Sequence, residues 1–264
     1  MRSQSWKRWE SRAGVRGASR QHVRWAVRGV ISAVQRFFLP LGEFIFPPVC
    51  VACDSYLATD EQYVCEACWR AMRTLQSSDS LYRETRDRLR GMGHVDDLFS
   101  CFAFDREGPL QVVLHRLKYE GITALGEELG VRLGKHVASL AHFHAPVMIV
   151  PVPLHHAKQR ERGYNQSVSI CTGMTRIIPA GVFPGLLIRR RYTLSQTTLR
   201  REERRLNVLN AFALNPRYHV PLDNRTVVLV DDVITTGATI DGCASILLAH
   251  GAQRVIACSV ALAP

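Results

Sequence analysis

The segment Thr226–Thr239, TVVLVDDVITTGAT, constrains this chain more than any other. Thr226 to Val230 form an unbroken β-branched and aliphatic run, the pattern of a strand covered on both faces rather than of an amphipathic one. Two carboxylates follow at once, Asp231 and Asp232, then a short turn, Thr235-Thr236-Gly237-Ala238-Thr239. The residues after it read as a helix over 239–250, with Gly251 at the position just past its end. A buried strand that turns through such a loop into a helix belongs to an open α/β sheet, where ligands bind at the carboxyl ends of the strands. Gly237 lets backbone approach an oxyanion closely, the threonine hydroxyls add donors, and the helix N-terminal amides complete an anion cradle. Two acids beside such a cradle would repel a bare phosphate. The pairing makes sense for a ligand that also carries hydroxyls or brings a metal ion, as a ribose 5-phosphate with Mg²⁺ does.

The rest of the chain after residue 96 repeats the same alternation. Strands are predicted over Leu98–Phe104, Val147–Val152, Leu186–Arg190 and Val255–Ala261, and helices over Pro109–Lys118, Leu125–Leu140 and Asn165–Arg176. This predicts an α/β domain over 97–264, a doubly wound and mostly parallel sheet.

Upstream, Cys50-x2-Cys53 and Cys65-x2-Cys68 are separated by eleven residues. Two CxxC turns can present four thiolates at the corners of a tetrahedron, the closed geometry of structural zinc. A module this short buries no core of its own, so zinc would supply its folding free energy. A redox CxxC pair and unligated thiols are the alternatives. We take 49–75 as a small N-terminal zinc ribbon and 76–96, which is polar, as a linker, part of it helical. Cys101, Cys171, Cys243 and Cys258 fall in predicted strands and helices and read as core residues.

Residues 1–48 read as a basic tail and an amphipathic helix. The chain has a formal net charge of +11, and residues 1–40 hold nine Lys or Arg against Glu10 alone, hence +8 of it. From Val23 to Phe46 apolar residues recur at helical spacing with Arg24, Arg28 and Arg36 on the other face, up to Pro47-Pro48. Such a tail suits a polyanion, either nucleic acid or an anionic membrane surface touched peripherally, and equally a solvated extension. No apolar run reaches the roughly 18 residues of a membrane span, and no secretory leader is recognisable, so a cytoplasmic location with reduced cysteines is expected.

Several segments together resemble the ComF competence-protein family: IVPVPL at 149–154 followed by RERGYNQ at 160–166, LKYEG at 117–121, Gln196 with the ERRLNV run at 203–208, the cysteine ribbon, and the 226–239 segment, which looks like the phosphoribosyl-pyrophosphate (PRPP) loop of type I phosphoribosyltransferases. The resemblance covers roughly residues 40–264. It implies that Asp231 and Asp232 hold the ribose hydroxyls and act in catalysis. It implies further that Thr235, Thr236, Gly237, Ala238 and Thr239 hold the 5-phosphate, and that Pro151-Val152-Pro153 forms the pyrophosphate-side loop. Lys118 and Arg162 are candidates for the pyrophosphate charge. The activity implied is transfer of the 5-phosphoribosyl group to a nitrogen nucleophile with Mg²⁺, in a protein that handles incoming single-stranded DNA during natural transformation alongside competence-machinery proteins.

Arg200, Arg201, Arg204 and Arg205 are nucleic-acid candidates, since at helical spacing they pair on two adjacent faces. Tyr164, Tyr192 and Trp69 are the aromatics available to stack on bases, and the polar stretch Tyr192–Thr198 reads as a flap that closes over PRPP. The alternative is a solvated helix face with Glu–Arg pairs. His155 and His156, with His142 and His144, complete no metal spacing and read as loop histidines. The rival function is a non-catalytic PRPP sensor that binds DNA or protein, because nothing in the sequence identifies an acceptor base.

Overall fold

The computed structural model describes residues 47–141, 146–190 and 211–264. The architecture below is that of the unit Val49–Pro264. The helix read over 23–46, His142, His144, the stretch Tyr192–Thr198 and the arginines Arg200, Arg201, Arg204 and Arg205 lie outside the described residues. In chain order the elements are α1 (Glu66–Ala71), α2 (Ser80–Met92), β1 (Asp97–Ala103), α3 (Pro109–Tyr119), α4 (Thr123–Leu140), β2 (Val147–Pro151), α5 (His156–Arg162), α6 (Gln166–Met174), β3 (Gly181–Val182), β4 (Leu187–Arg189), β5 (Phe212–Leu214), β6 (Thr226–Ile234), α7 (Ala238–Ala249) and β7 (Arg254–Leu262).

Five strands make one parallel sheet in the order β1-β7-β6-β2-β3. The unbroken apolar run of β6 follows from its central place. Val228 and Val230 pack with Leu117 of α3, Leu129 of α4 and Ile170 of α6, while Val227 and Leu229 pack with Ile240, Cys243 and Leu247 of α7. Helices therefore cover both faces, as doubly wound topology requires. The four cysteines read as core residues, Cys101, Cys171, Cys243 and Cys258, are buried. The α4–α6 contact is close enough to depend on glycine: a Cβ on Gly130 would stand 2.0 Å from the Ile170 carbonyl oxygen.

The ribbon is not an isolated bead. Its Val51, Val64, Trp69 and Met72 join the core that contains Phe102 and Leu110, and Arg116 Nη2 donates to Asp54 Oδ1 at 3.0 Å. The chain leaves the ribbon along the outer edge of β1. There Leu75 N donates to Cys101 O and Ala103 N to Arg73 O, each at 2.9 Å. This short antiparallel pairing covers a sheet edge that would otherwise be open to another strand. Residues 76–96 then form more than a polar spacer. Thirteen of them make α2, whose Tyr82, Thr85 and Leu89 are buried, and the Tyr82 hydroxyl donates to the Leu98 carbonyl.

Three features depart from the sequence reading. The strand β6 extends through Ile234 rather than ending at Val230. The reason is unequal neighbours: β2 pairs with β6 only as far as Pro151–Val230, whereas β7 stays in register to Ile234–Leu262. The short strand at 187–189 does not join the parallel sheet but pairs antiparallel with β5. The segment 156–162, with its alternating charges and no apolar face, is nevertheless the helix α5, and His155 caps it by accepting from Ala157 N at 3.2 Å. Gly251, with φ of 101°, takes the left-handed conformation anticipated just past α7.

Candidate functional site

The Sγ atoms of Cys50, Cys53, Cys65 and Cys68 all lie within 4.8 Å of one another. The two turns that carry them are shaped by N–H···S bonds, from Ala52 N and Cys65 N to Cys50 Sγ at 3.4 and 3.3 Å and from Cys68 N to Cys65 Sγ at 3.4 Å. Hydrogen bonding with the Ser55 hydroxyl and backbone brings the Cys53 thiol down to about 6, so one ligand is poised as thiolate. Burial raises the Cys68 thiol instead. Four soft donors within one small sphere fit Zn²⁺ and leave no place for a substrate. The site is structural.

The second cluster lies at the carboxyl end of β6. Beyond Val230 the strand keeps β7 on one side and loses β2 on the other, so Asp231 and Asp232 occupy sheet backbone with one neighbour missing. Asp231 Oδ1 accepts from the Asp232 amide at 2.9 Å and from Ser167 Oγ of α6 at 3.2 Å. Asp232 is 5% exposed and pairs with Lys118 Nζ at 2.5 Å. Burial first, and the neighbouring Asp232 charge second, push the Asp231 carboxyl up to about 8. Near neutral pH Asp231 therefore largely keeps its proton, with Lys118 as the counter-charge beside Asp232.

Three segments hold this cluster. Lys118 lies in the last turn of α3, where the Tyr164 hydroxyl donates to the preceding Leu117 carbonyl. The turn after β2 is tied in both directions, with Val152 N donating to Val230 O at 2.8 Å and Asn165 Nδ2 to Val152 O at 2.9 Å. Asn165 also caps α6 by accepting from Ser167 N at 3.0 Å, which brings Ser167 to the acids. Arg162 lies over the Tyr119 ring at 5.4 Å and donates to Gln166 Oε1 at 3.0 Å.

The anion cradle follows on the same strand. Gly237 has φ of 81° and caps α7, and Ala238 N donates to Thr236 Oγ1 at 3.5 Å. The first amides of α7 have no partner within the helix, and they stand at its positive end. The structure thus brings Asp231, Asp232, Lys118, Pro151-Val152-Pro153 and the 235–239 loop to one sheet edge, with Arg162 tying α5 to α3.

Sequence reasoning missed Ser167, which carries no motif of its own; the asparagine cap two residues earlier was the available signal. It also offered Trp69 and Tyr164 as base-stacking residues. Trp69 is 7% exposed, with Arg132 over its ring at 3.6 Å and Phe102 stacked on it. Tyr164 is committed to Leu117. The Trp69 ring is therefore covered, whereas Tyr164 is half-buried with its hydroxyl held.

A parallel sheet whose central strand carries an acid pair and then a glycine-containing loop at a helix N-terminus, preceded by a four-thiolate ribbon, defines the class: a phosphoribosyltransferase-domain protein with a structural zinc module. Residues 193–264 match the Phosphoribosyl transferase domain family, and residues 41–78 match the Double zinc ribbon domain family. The chain is 28% identical over 226 residues to DNA utilization protein YhgH of Escherichia coli K12, covering 79% of this chain and 94% of that one. It is 28% identical over 211 residues to Competence protein F of Haemophilus influenzae, with 79% and 82% covered. With YhgH of Salmonella typhimurium it shares 31% identity over 154 residues, 57% of this chain and 66% of that one. Most of the chain is thus similar to ComF-like proteins, and its C-terminal part matches the phosphoribosyl transferase domain family. Among the described residues no helix is long and apolar enough to cross a membrane.

Proposed function

We propose that this protein binds PRPP at the carboxyl end of β6, and that it uses the site in the handling of single-stranded DNA. The observation that carries the first half is the acid pair of Asp231 and Asp232 where β2 has ended, followed directly by the 235–239 loop. The loop amides and threonine hydroxyls receive the 5-phosphate. The two carboxylates receive the 2- and 3-hydroxyls, which replace the proton now held by Asp231. Lys118, already on Asp232, and the Pro151-Val152-Pro153 turn face the pyrophosphate side, with Arg162 behind them. Mg²⁺ would supply the charge neutralisation that two carboxylates and a pyrophosphate require together. If the group is transferred, these residues act by positioning and charge stabilisation rather than through a covalent nucleophile.

Titration calorimetry with PRPP and Mg²⁺ tests the site. Binding by the wild type, and its loss in the Asp231→Asn/Asp232→Asn double variant, is the expected result; equal affinity in both would refute the assignment. Pyrophosphate release in the presence of nucleobases, ammonia or DNA separates a transferase from a PRPP sensor. The names of the relatives, DNA utilization protein and Competence protein F, support the second half, as does the basic run at Arg200, Arg201, Arg204 and Arg205. Binding to single strands should weaken with salt, and replacing those four arginines by alanine should flatten that dependence. A salt slope unchanged in the variant would remove them from the interface. Partners among competence-machinery proteins and a cytoplasmic location accord with this role.

A further inference from the structure

We infer that α2 is a brace for the phosphate-binding loop, and that Arg88 is the positioning residue through which it acts. The inference rests on the ribose-phosphate reading above. Arg88 lies on the exposed side of α2, yet its Nη2 donates across the surface to the Thr235 carbonyl oxygen at 2.9 Å and contacts the buried Thr85 Oγ1 at 3.2 Å. Thr85 sits one turn earlier on the same helix, so it fixes the guanidinium before any ligand arrives. In a planar trans peptide the carbonyl and the following N–H point in opposite directions. Anchoring the Thr235 oxygen on a cation therefore removes a lone pair that would oppose an oxyanion, and it sends the Thr236 N–H to the other edge of the peptide.

Two further contacts come from the same helix and the turn after it. Leu89 is fully buried and fills the space beside Gly237, where an added Cβ would stand 2.5 Å from Leu89 Cδ2. His94 Nδ1 lies 2.8 Å from Oδ1 of Asp241, a buried acid in the first turn of α7. The start of the loop, its left-handed glycine and the first turn of the helix behind it are thus each held by one segment, residues 88–94. That segment is continuous with the strap at 73–75, which pairs with β1 as the chain leaves the zinc ribbon. A helix that only covered the sheet would need none of these three contacts. A loop pre-set in its binding conformation spends less of the ligand's binding energy on ordering.

The test uses the full chain with Arg88→Ala and Arg88→Lys, and three probes: PRPP and ribose 5-phosphate, which carry the 5-phosphate, and Mg²⁺-pyrophosphate, which does not. Arg88→Ala should weaken both ribose phosphates about tenfold, the scale of one hydrogen bond from a charged donor. Affinity for Mg²⁺-pyrophosphate should stay as in the wild type, and Arg88→Lys should recover most of the loss. Amide hydrogen exchange over 236–239 in the ligand-free protein should be faster in Arg88→Ala, an effect that a simple phosphate contact would not produce. Unchanged exchange in that state, or unchanged ribose 5-phosphate affinity while the wild type binds it, would overturn the brace. A wild type that binds neither ribose phosphate would instead refute the ribose-phosphate reading, and the brace with it.

Discussion

Replacing Asp231 by asparagine should make the protein more stable near neutral pH while abolishing its proposed ligand binding. The Asp231 carboxyl moves from an ordinary 3.8 to about 8 in the folded chain, through burial and then the Asp232 charge. Between those two values the folded state holds a proton that the unfolded chain has released. Stability therefore falls as pH rises across that window, and no cost remains below pH 4. At pH 7 the folded group is still mostly protonated, and at 1.36 kcal/mol per pH unit the cost is on the order of 4 kcal/mol. Residual solvation of a partly buried group makes this an upper figure. Asparagine has nearly the same shape and its Oδ1 can still accept from the Asp232 amide and Ser167 Oγ, but it carries no charge to desolvate. Urea unfolding of both proteins at pH 4.5, 6 and 7.5 measures the effect. We expect Asp231→Asn to be more stable by at least about 1–2 kcal/mol at pH 7.5, with the gain shrinking toward acid pH. Equal stabilities across the range, or a gain largest at low pH, would refute the reasoning.

Three other outcomes follow from the same geometry. Because Asp231 is largely protonated at pH 7, binding of Mg²⁺ and PRPP should release up to one proton, seen as a calorimetric enthalpy that varies with the ionisation enthalpy of the buffer; a buffer-independent enthalpy would contradict it. Cys50→Ser with Cys53→Ser should eliminate the one zinc per chain measured by atomic absorption and lower the thermal midpoint of the whole domain, since Val51, Val64, Trp69 and Met72 share a core with β1 and α3; an unchanged metal content would dismiss the ribbon. Gly237→Ala, at φ of 81° and with Leu89 in the path of its Cβ, should cost about 2 kcal/mol or more by denaturant unfolding, whereas Gly121→Ala, at φ of 71° with open space around it, should lose only the backbone part, about 1 kcal/mol; equal losses would exclude the Leu89 contact.

The sheet, its helices and the acid-loop unit were legible because their signals are local. A buried parallel strand reads as a continuous apolar run, and a thiolate or carboxylate pair reads as adjacent letters. What escaped depends on neighbours far away in sequence. The four extra residues of β6 are set by the length of β7, and nothing between 226 and 234 announces that. Ser167 becomes part of the site only because α6 starts beside β6, 64 residues later in the chain. The polar composition of 76–96 suits a spacer, since only Tyr82 and Leu89 among its larger apolar side chains are buried in α2. The value of that helix lies in contacts to residues 235–241, about 147 positions downstream.

The unequal strands explain why the acid pair sits where it does. Were β2 as long as β7, its backbone would run alongside Asp231 and Asp232 and close the gap in which Lys118 and Ser167 now meet them. Pro151 is the last residue of β2, and proline supplies no N–H to extend a ladder. Pro153 imposes the same loss two residues on, and the Val152 carbonyl between them is taken by Asn165. The two prolines therefore end one strand while β7 supports the other from the far side. A central strand held rigidly at one edge and exposed at the other can carry a carboxylate pair at the high free energy that Asp231 shows. The proposed ligand, whose hydroxyls and metal would favour the ionised pair, would recover as affinity the stability that burying the acids costs.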